Sequence, residues 1–131
     1  MAHHYPVHVH YEDTDMGGIV YHANFLKFIE RGRSAWVRAL GVDQNALRDG
    51  GTVFVVRRIE ADYLAPARLD DTLDVETEVL RATGARLEMA QSVYRDGAAL
   101  FRARVTLACL TRAGHPARLP AAIRRIHPGG A

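Results

Sequence analysis

NFLKFIERGRSAWVRAL, residues 24–40, is the stretch whose reading decides the fold. With Phe25 set at zero and about 100° allowed per residue, Phe28, Ile29, Gly32, Ala35, Trp36, Ala39 and Leu40 fall on one side of a helix. Lys27, Arg31, Ser34 and Arg38 fall opposite. Asn24 is a candidate N-cap, and Gly41 a candidate C-terminal stop. An apolar arc this wide, carrying two Phe and a Trp, needs a broad apolar partner. The helix is therefore expected to lie against a large sheet face.

Working outward, the pattern supplies that sheet. Upstream, Tyr5–Tyr11 alternates Val7 and Val9 with His8 and His10, the period of a first strand. Glu12–Gly18 breaks the alternation with three acids and a Gly-Gly pair, which predicts a loop. Downstream, Val42–Gly51 reads as a short helical turn closing in Gly50-Gly51, followed by four strand-like segments. Val53–Leu64 is rich in β-branched and aromatic residues and is ended by Pro66. Thr72–Ala82 sets Leu73, Val75, Thr77 and Val79 on one face. Arg86–Arg95 does the same with Leu87, Met89, Gln91 and Val93, and Ala99–Leu110 with Phe101, Ala103, Val105 and Leu107. Thr83-Gly84 and Asp96-Gly97 fit tight hairpin turns. After Arg112 the chain turns polar, with at most a short helix near Ala121–Ile126.

One strand, a long helix and four further strands define the α+β class. A single domain over residues 1–131 is expected, with residues 1–4 and 127–131 as loosely ordered tails. One helix does not cover both faces of a five-stranded sheet, so a symmetric homodimer is expected as well.

Composition narrows the function classes. The 131 residues are enough to bury a real core, and 48% hydrophobic with 24% charged is ordinary for a globular protein. Lys plus Arg is 17 and Asp plus Glu is 15, a net charge of +2 with a pI near 9.0. No run of five or six basic residues occurs, which argues against a nucleic-acid arm but leaves room for a local patch that holds phosphate. The lone cysteine, Cys109, excludes an intramolecular disulfide and a cysteine-only metal cluster; its apolar surroundings predict a buried thiol. The His-rich N-terminus lacks a signal-peptide core, and no apolar stretch approaches the roughly 20 residues of a membrane span. A cytoplasmic location and no transmembrane segment are expected.

Chemistry concentrates in Tyr11–Arg33, YEDTDMGGIVYHANFLKFIERGR. Glu12, Asp13 and Asp15 crowd together, Gly17 and Gly18 follow, and His22 stands just before the helix. A helix start offers unpaired N–H groups and the positive end of a dipole. An acid beside such a start supplies two parts of an acyl-transfer site. The plainer alternative is an acidic loop that caps the helix, and Glu12 and Asp13 fit it. His8 and His10, with His3 and His4 nearby, approach a metal-ligand spacing, but no third ligand follows at a fitting offset and no metal is expected. Glu30 lies at the flank of the apolar arc, where pairing with Arg31 or Arg33 is its ordinary use.

The same segment resembles the signature of the 4-hydroxybenzoyl-CoA thioesterase family of hotdog proteins, and more closely its Tol-Pal system-associated acyl-CoA thioesterase branch. The residues that carry the resemblance are Tyr11-Glu12-Asp13-Thr14-Asp15, Gly17-Gly18-Ile19-Val20-Tyr21-His22, and Phe28 with Glu30-Arg31. A second block is Phe54-Val55-Val56-Arg57, followed by Tyr63-Leu64-Ala65-Pro66-Ala67-Arg68-Leu69-Asp70-Asp71. Phe25, where the family pattern has Tyr, is a small departure. The resemblance implies a curved five-stranded antiparallel sheet wrapped around one long central helix. It also implies dimers joined into a continuous sheet, with tetramers as the alternative, and active sites between subunits.

By that resemblance Asp15 is the catalytic carboxylate, as nucleophile or general base, and His22 marks the N–H that polarises the thioester carbonyl. The His22 side chain would assist the reaction or cap the helix. The implied substrate is an acyl-CoA, so no separate cofactor is needed. Arg57, Arg58 and Arg68 are candidate contacts for coenzyme A phosphates, and Gly17, Gly18, Tyr21, Asn24 and Phe25 candidate substrate contacts. Two rival functions are a hotdog dehydratase or hydratase, and a non-catalytic module that binds acyl-CoA or an acyl carrier protein.

Overall fold

In the computed structural model, which describes residues 2–126, the amphipathic stretch after His22 forms helix α1, Asn24–Ala39. Its buried face is Phe25, Phe28, Ile29, Gly32, Arg33, Trp36 and Val37. Gly41 stops it at φ +82°, donating its N–H to Arg38 while the Val42 N–H reaches back to the Val37 carbonyl. That paired closure uses the left-handed geometry that glycine adopts without strain. The N-terminal expectation needs correcting. Ala23 is the capping residue, and Asn24 opens the helix proper. The Asn24 amide instead donates to the Asp13 carbonyl at 2.9 Å.

The strands are β1 (His3–His8), β2 (Thr52–Tyr63), β3 (Thr72–Thr83), β4 (Arg86–Arg95) and β5 (Ala98–Thr111), in the order β1-β3-β4-β5-β2, with every pair antiparallel. This is the five-stranded antiparallel arrangement that the family resemblance implies. Strand β1 starts earlier than its Val/His alternation suggests. His3 and His4, read as tail, pair with Thr77 and Glu76 because β3 extends that far. Residues 127–131 lie outside the described residues. At the β4–β5 hairpin both Asp96 (φ 50°) and Gly97 (φ 80°) are left-handed, the conformation a two-residue turn between twisted strands requires.

Helix α1 packs over β1, β3 and β4, and reaches β5 through the stacked rings of Phe25 and Phe101, 5.0 Å apart. Three register shifts, at Val56/Arg58, Val79/Arg81 and Val93/Tyr94, bend the sheet around it. Full burial of Phe28 and Ile29 contributes about 1.5–3 kcal/mol each. Short helices α2 (Gln44–Asp49, capped by the Asp43 carboxylate) and α3 (Ala121–Arg124, anchored by buried Ile123) complete the chain. Cys109 is fully buried, and desolvation raises its thiol pKa.

One polar cluster sits inside this core. Gln91 donates to the Ile29 carbonyl and to Thr77 Oγ1, and accepts from Arg33 Nη1 at 2.9 Å. Gln91 is fully buried and Arg33 is 8% exposed, and burial lowers the arginine's pKa against a smaller opposing effect of Glu30. Glu30 forms no ion pair within 4 Å of either Arg31 or Arg33 among the described residues.

The segment after β2 is tied down by Asp71. Burial works to raise this carboxyl, but the Arg68 N–H (2.8 Å) and the Arg95 guanidinium (2.8 Å) outweigh it and hold it below the usual range. A depressed aspartate stabilises the fold above its unfolded pKa of about 3.9 and loses that contribution as pH falls through its folded value. Asp71→Asn is expected to lower stability by about 1 kcal/mol at pH 7, a figure reduced by solvent at the loop surface. The gap between variant and wild type should close below about pH 4, as urea titrations at several pH values will test.

Candidate active site

The acidic loop is a tight chain reversal. The Asp15 N–H donates to the Ile19 carbonyl, the Gly18 N–H returns to the Asp15 carbonyl, and Thr14 bridges Val20. Gly18 closes the turn at φ +76°. Within it Asp15 Oδ1 accepts the Gly17 N–H at 2.8 Å, and a Cβ on Gly17 would sit only 3.1 Å from that oxygen. One carboxylate oxygen therefore has a structural use. The other has no donor among the described residues, and Asp15 is exposed.

Asp13 behaves differently. It is 6% exposed, and its carboxylate accepts the His10 N–H at 2.9 Å, closing the turn Tyr11–Asp13. Its carbonyl accepts both the Tyr21 N–H and the Asn24 amide, which fastens the acidic turn to the start of α1. Asp13 is thus the structural acid, and Glu12 is exposed.

At that helix start the N–H groups of His22 and Ala23 have no acceptor among the described residues. The carbonyls next to them are occupied. Tyr21 O accepts from the Asn24 N–H at 2.8 Å, and His22 O accepts from the Tyr63 hydroxyl at 3.0 Å. His22 lines an open cleft of about 360 Å³ with Ile19, Val20, Phe25, Tyr63, Leu64, Ala65 and Pro66. The Leu64 and Ala65 N–H groups are held by the carbonyl of Leu100, the extra residue of the β4–β5 bulge. Larger hollows lie elsewhere, about 540 Å³ beside His4, Asp74 and Tyr94 and about 510 Å³ between the end of α1 and α2. None of the larger hollows, including one of about 440 Å³ against Glu60, Arg102 and Arg104, adjoins the open start of α1, so the smaller cleft is the better candidate.

The expected residues divide. Phe25 forms the cleft floor, His22 its rim, and Arg68 pairs with Ile19 at its edge. Asp15, Gly17 and Gly18 form the adjacent turn without lining the cleft. Tyr21 packs its ring on His22 at 4.5 Å, and Asn24 serves Asp13; neither lines the cleft. Arg57 and Arg58 stand at the β2 bulge, roughly 15–20 Å along the strand from Tyr63, and Arg58 pairs with Glu60 at 3.2 Å. One chain therefore does not bring these two to the cleft. Tyr63, Leu64 and Pro66 carry no role in the sequence pattern; the only sign of them is the block Tyr63–Asp71, read as a likeness.

The histidines near the N-terminus make separate pairs, His4 with Asp74 at 2.8 Å and His8 with Asp70 at 3.2 Å. Among the described residues no three His, Cys, Asp or Glu side chains converge as metal ligands. No helix among them is long and apolar enough to cross a membrane.

Beside this fold and this open helix start, residues 17–101 match the Thioesterase superfamily. The chain belongs to that family. It is 44% identical over 107 residues to the acyl-CoA thioesterase YbgC of Haemophilus influenzae, covering 81% of this chain and 79% of the relative. It is 41% identical over 107 residues to the acyl-CoA thioester hydrolase YbgC of Escherichia coli O157:H7, covering 81% and 80%. Among solved structures, a probable thioesterase from Bartonella henselae superposes with a TM-score of 0.88 at 37% identity, over 92% of this chain and 100% of that one.

Proposed function

We propose that this protein hydrolyses acyl-CoA thioesters to the free acid and coenzyme A, with Asp15 as the catalytic carboxylate. The observation that carries the proposal is the open pair of N–H groups at His22 and Ala23, set beside an apolar cleft and fastened through Asp13 to the turn that bears Asp15. The relatives named above for acyl-CoA hydrolysis support the substrate class.

The chemistry is undemanding. Sulfur donates weakly into a carbonyl and leaves readily as thiolate, so no serine triad is needed. Asp15 either attacks the carbonyl carbon, forming an anhydride as the C–S bond breaks, or takes a proton from a water that attacks it. In both routes the carbonyl oxygen gains negative charge. N–H donors at the helix start stabilise that charge, each worth about 3–4 kcal/mol in comparable sites. The leaving thiolate takes up a proton, for which His22 in the cleft lining is the candidate donor.

We also propose that the working unit is a homodimer joined along β2. That strand is an edge twelve residues long, and its face toward the helix side carries Val56 and Tyr63, 46% and 49% exposed. An open edge beside uncovered apolar surface invites a second copy. Coenzyme A is long enough for its phosphates to leave the cleft, so Arg57 and Arg58 at the β2 edge are candidate contacts beside such a boundary, as is Arg68, whose backbone bridges Ile19 of the cleft lining.

Thiol release from a panel of acyl-CoAs, together with solution mass, tests both statements. Hydrolysis by a dimer or tetramer is expected. Saturable binding without thiol release would favour a carrier module, and a monomer with full activity would overturn the dimer.

A further inference from the structure

We propose that Phe25 sets the longest acyl chain this protein accepts: its ring is a fixed floor under the cleft, one helical turn from the His22 N–H that receives the thioester oxygen. The inference rests on the function proposed above and adds the substrate range.

The cleft wall suits hydrocarbon. Six of its eight lining residues are apolar: Ile19, Val20, Phe25, Leu64, Ala65 and Pro66. Most of their backbone donors are already engaged. The Val20 N–H serves the Ala67 carbonyl, those of Leu64 and Ala65 serve Leu100, and that of Phe25 serves His22 at 3.3 Å. Pro66 has no N–H to offer. The amides of pantetheine would go unpaired against such a wall, whereas an acyl chain needs no partner there. The acyl end of the substrate therefore occupies the cleft. The coenzyme leaves by the open side, where Tyr63 and Leu64 are 49% and 52% exposed.

The depth available is short. The Phe25 N–H bonds back to the His22 carbonyl, so the two residues stand one turn apart, about 5–6 Å between their Cβ atoms. A carbonyl held at the His22 N–H leaves space for only a few carbons before the ring is met. Nor is the ring free to swing aside. It is 3% exposed and stacked on Phe101 at 5.0 Å, with the two planes 12° apart. Phe28 and Tyr63 bound it edge-on, each at 5.9 Å. A close-packed group of this kind yields little, so the floor holds its level.

The test is a series of straight-chain acyl-CoAs from acetyl upward, read as kcat/KM for wild type and for Phe25→Ala. Wild-type values should climb about fourfold per methylene, the worth of a buried CH₂, then break and fall at the length that reaches Phe25. Phe25→Ala should move the break to longer chains, with a gain of about tenfold or more at the first length past the wild-type break. A protein that is merely destabilised loses rate at every length alike and keeps its break. Binding supplies a second readout. In an Asp15→Asn background, the affinity of the same acyl-CoAs should break at the same length and shift when Phe25→Ala is added. A wild-type series without a break, or a break that stays put in Phe25→Ala, overturns the inference. Should Phe25→Ala fail to fold, Phe25→Leu must move the break in the same direction, and no movement there overturns it equally. Hydrolysis whose length limit ignores residue 25 removes this inference alone, whereas no thiol release at any length removes the proposed function with it.

Discussion

Asp15→Asn is expected to lower kcat/KM for acyl-CoA hydrolysis by a factor on the order of 10²–10⁴ without changing the unfolding midpoint or the solution mass. The substitution is a clean one for a local reason. Asparagine keeps the oxygen that accepts the Gly17 N–H, so the turn closed by Asp15 and Gly18 retains its internal bonds. What is lost is the negative charge, and with it both nucleophilicity and basicity. Asp13→Ala, two residues earlier, which removes the accepting oxygen altogether, should reverse the pattern. That carboxylate is 6% exposed and accepts the His10 N–H, so stability should drop by about 1–2 kcal/mol while turnover per folded molecule holds. Steady-state kinetics beside urea unfolding separates the two acids. Wild-type turnover in Asp15→Asn would remove Asp15 from the mechanism.

Gly32→Val should be the most damaging single change to the fold. A Cβ at residue 32 would lie 2.5 Å from Val75 Cγ1, shorter than any allowed contact, and a tight 3.2 Å from Val75 Cβ. The helix would have to lift from β3, and overpacking of this kind costs about 3 kcal/mol. Even Gly32→Ala, which at an exposed helix position gains about 1 kcal/mol from propensity, should destabilise here, and that reversed sign identifies the close approach. Adding Val75→Ala should restore part of the loss in a double-mutant cycle by urea unfolding; purely additive effects would mean the two residues do not clash.

Legibility followed how local each signal was. Strand β4 matches the predicted Arg86–Arg95, since its alternation is fixed by one buried face and by Gly or Asp-Gly turns at both ends. The near end of β1 escaped because its length is set by β3, more than sixty residues away, and not by its own pattern. Arg33 escaped for a related reason. On a helical wheel it reads as a flanking cation, and only the burial of Gln91 on a distant strand turns it inward. In the candidate site, Asp15 and His22 are singled out by resemblance alone, and their roles are the proposal to be tested. The turn chemistry also explained Asp15 as ordinary structure, and sequence alone could not rank the two uses. Tyr63 was invisible as a site residue because its bond to the His22 carbonyl spans 41 positions and depends on where β2 ends.

The buried amide of Gln91 has its two donors and its acceptor all engaged, one of them by a cation that has no carboxylate within ion-pair range among the described residues. This makes the order of sequence drift one-directional. A lineage that first exchanges Arg33 for an apolar residue leaves a single carbonyl oxygen short of a partner. A lineage that first loses Gln91 strands a guanidinium in the core and frees two further groups, a far steeper descent. Descendants with a fully apolar contact at this spot should therefore pass through an intermediate that keeps the glutamine and has already discarded the arginine.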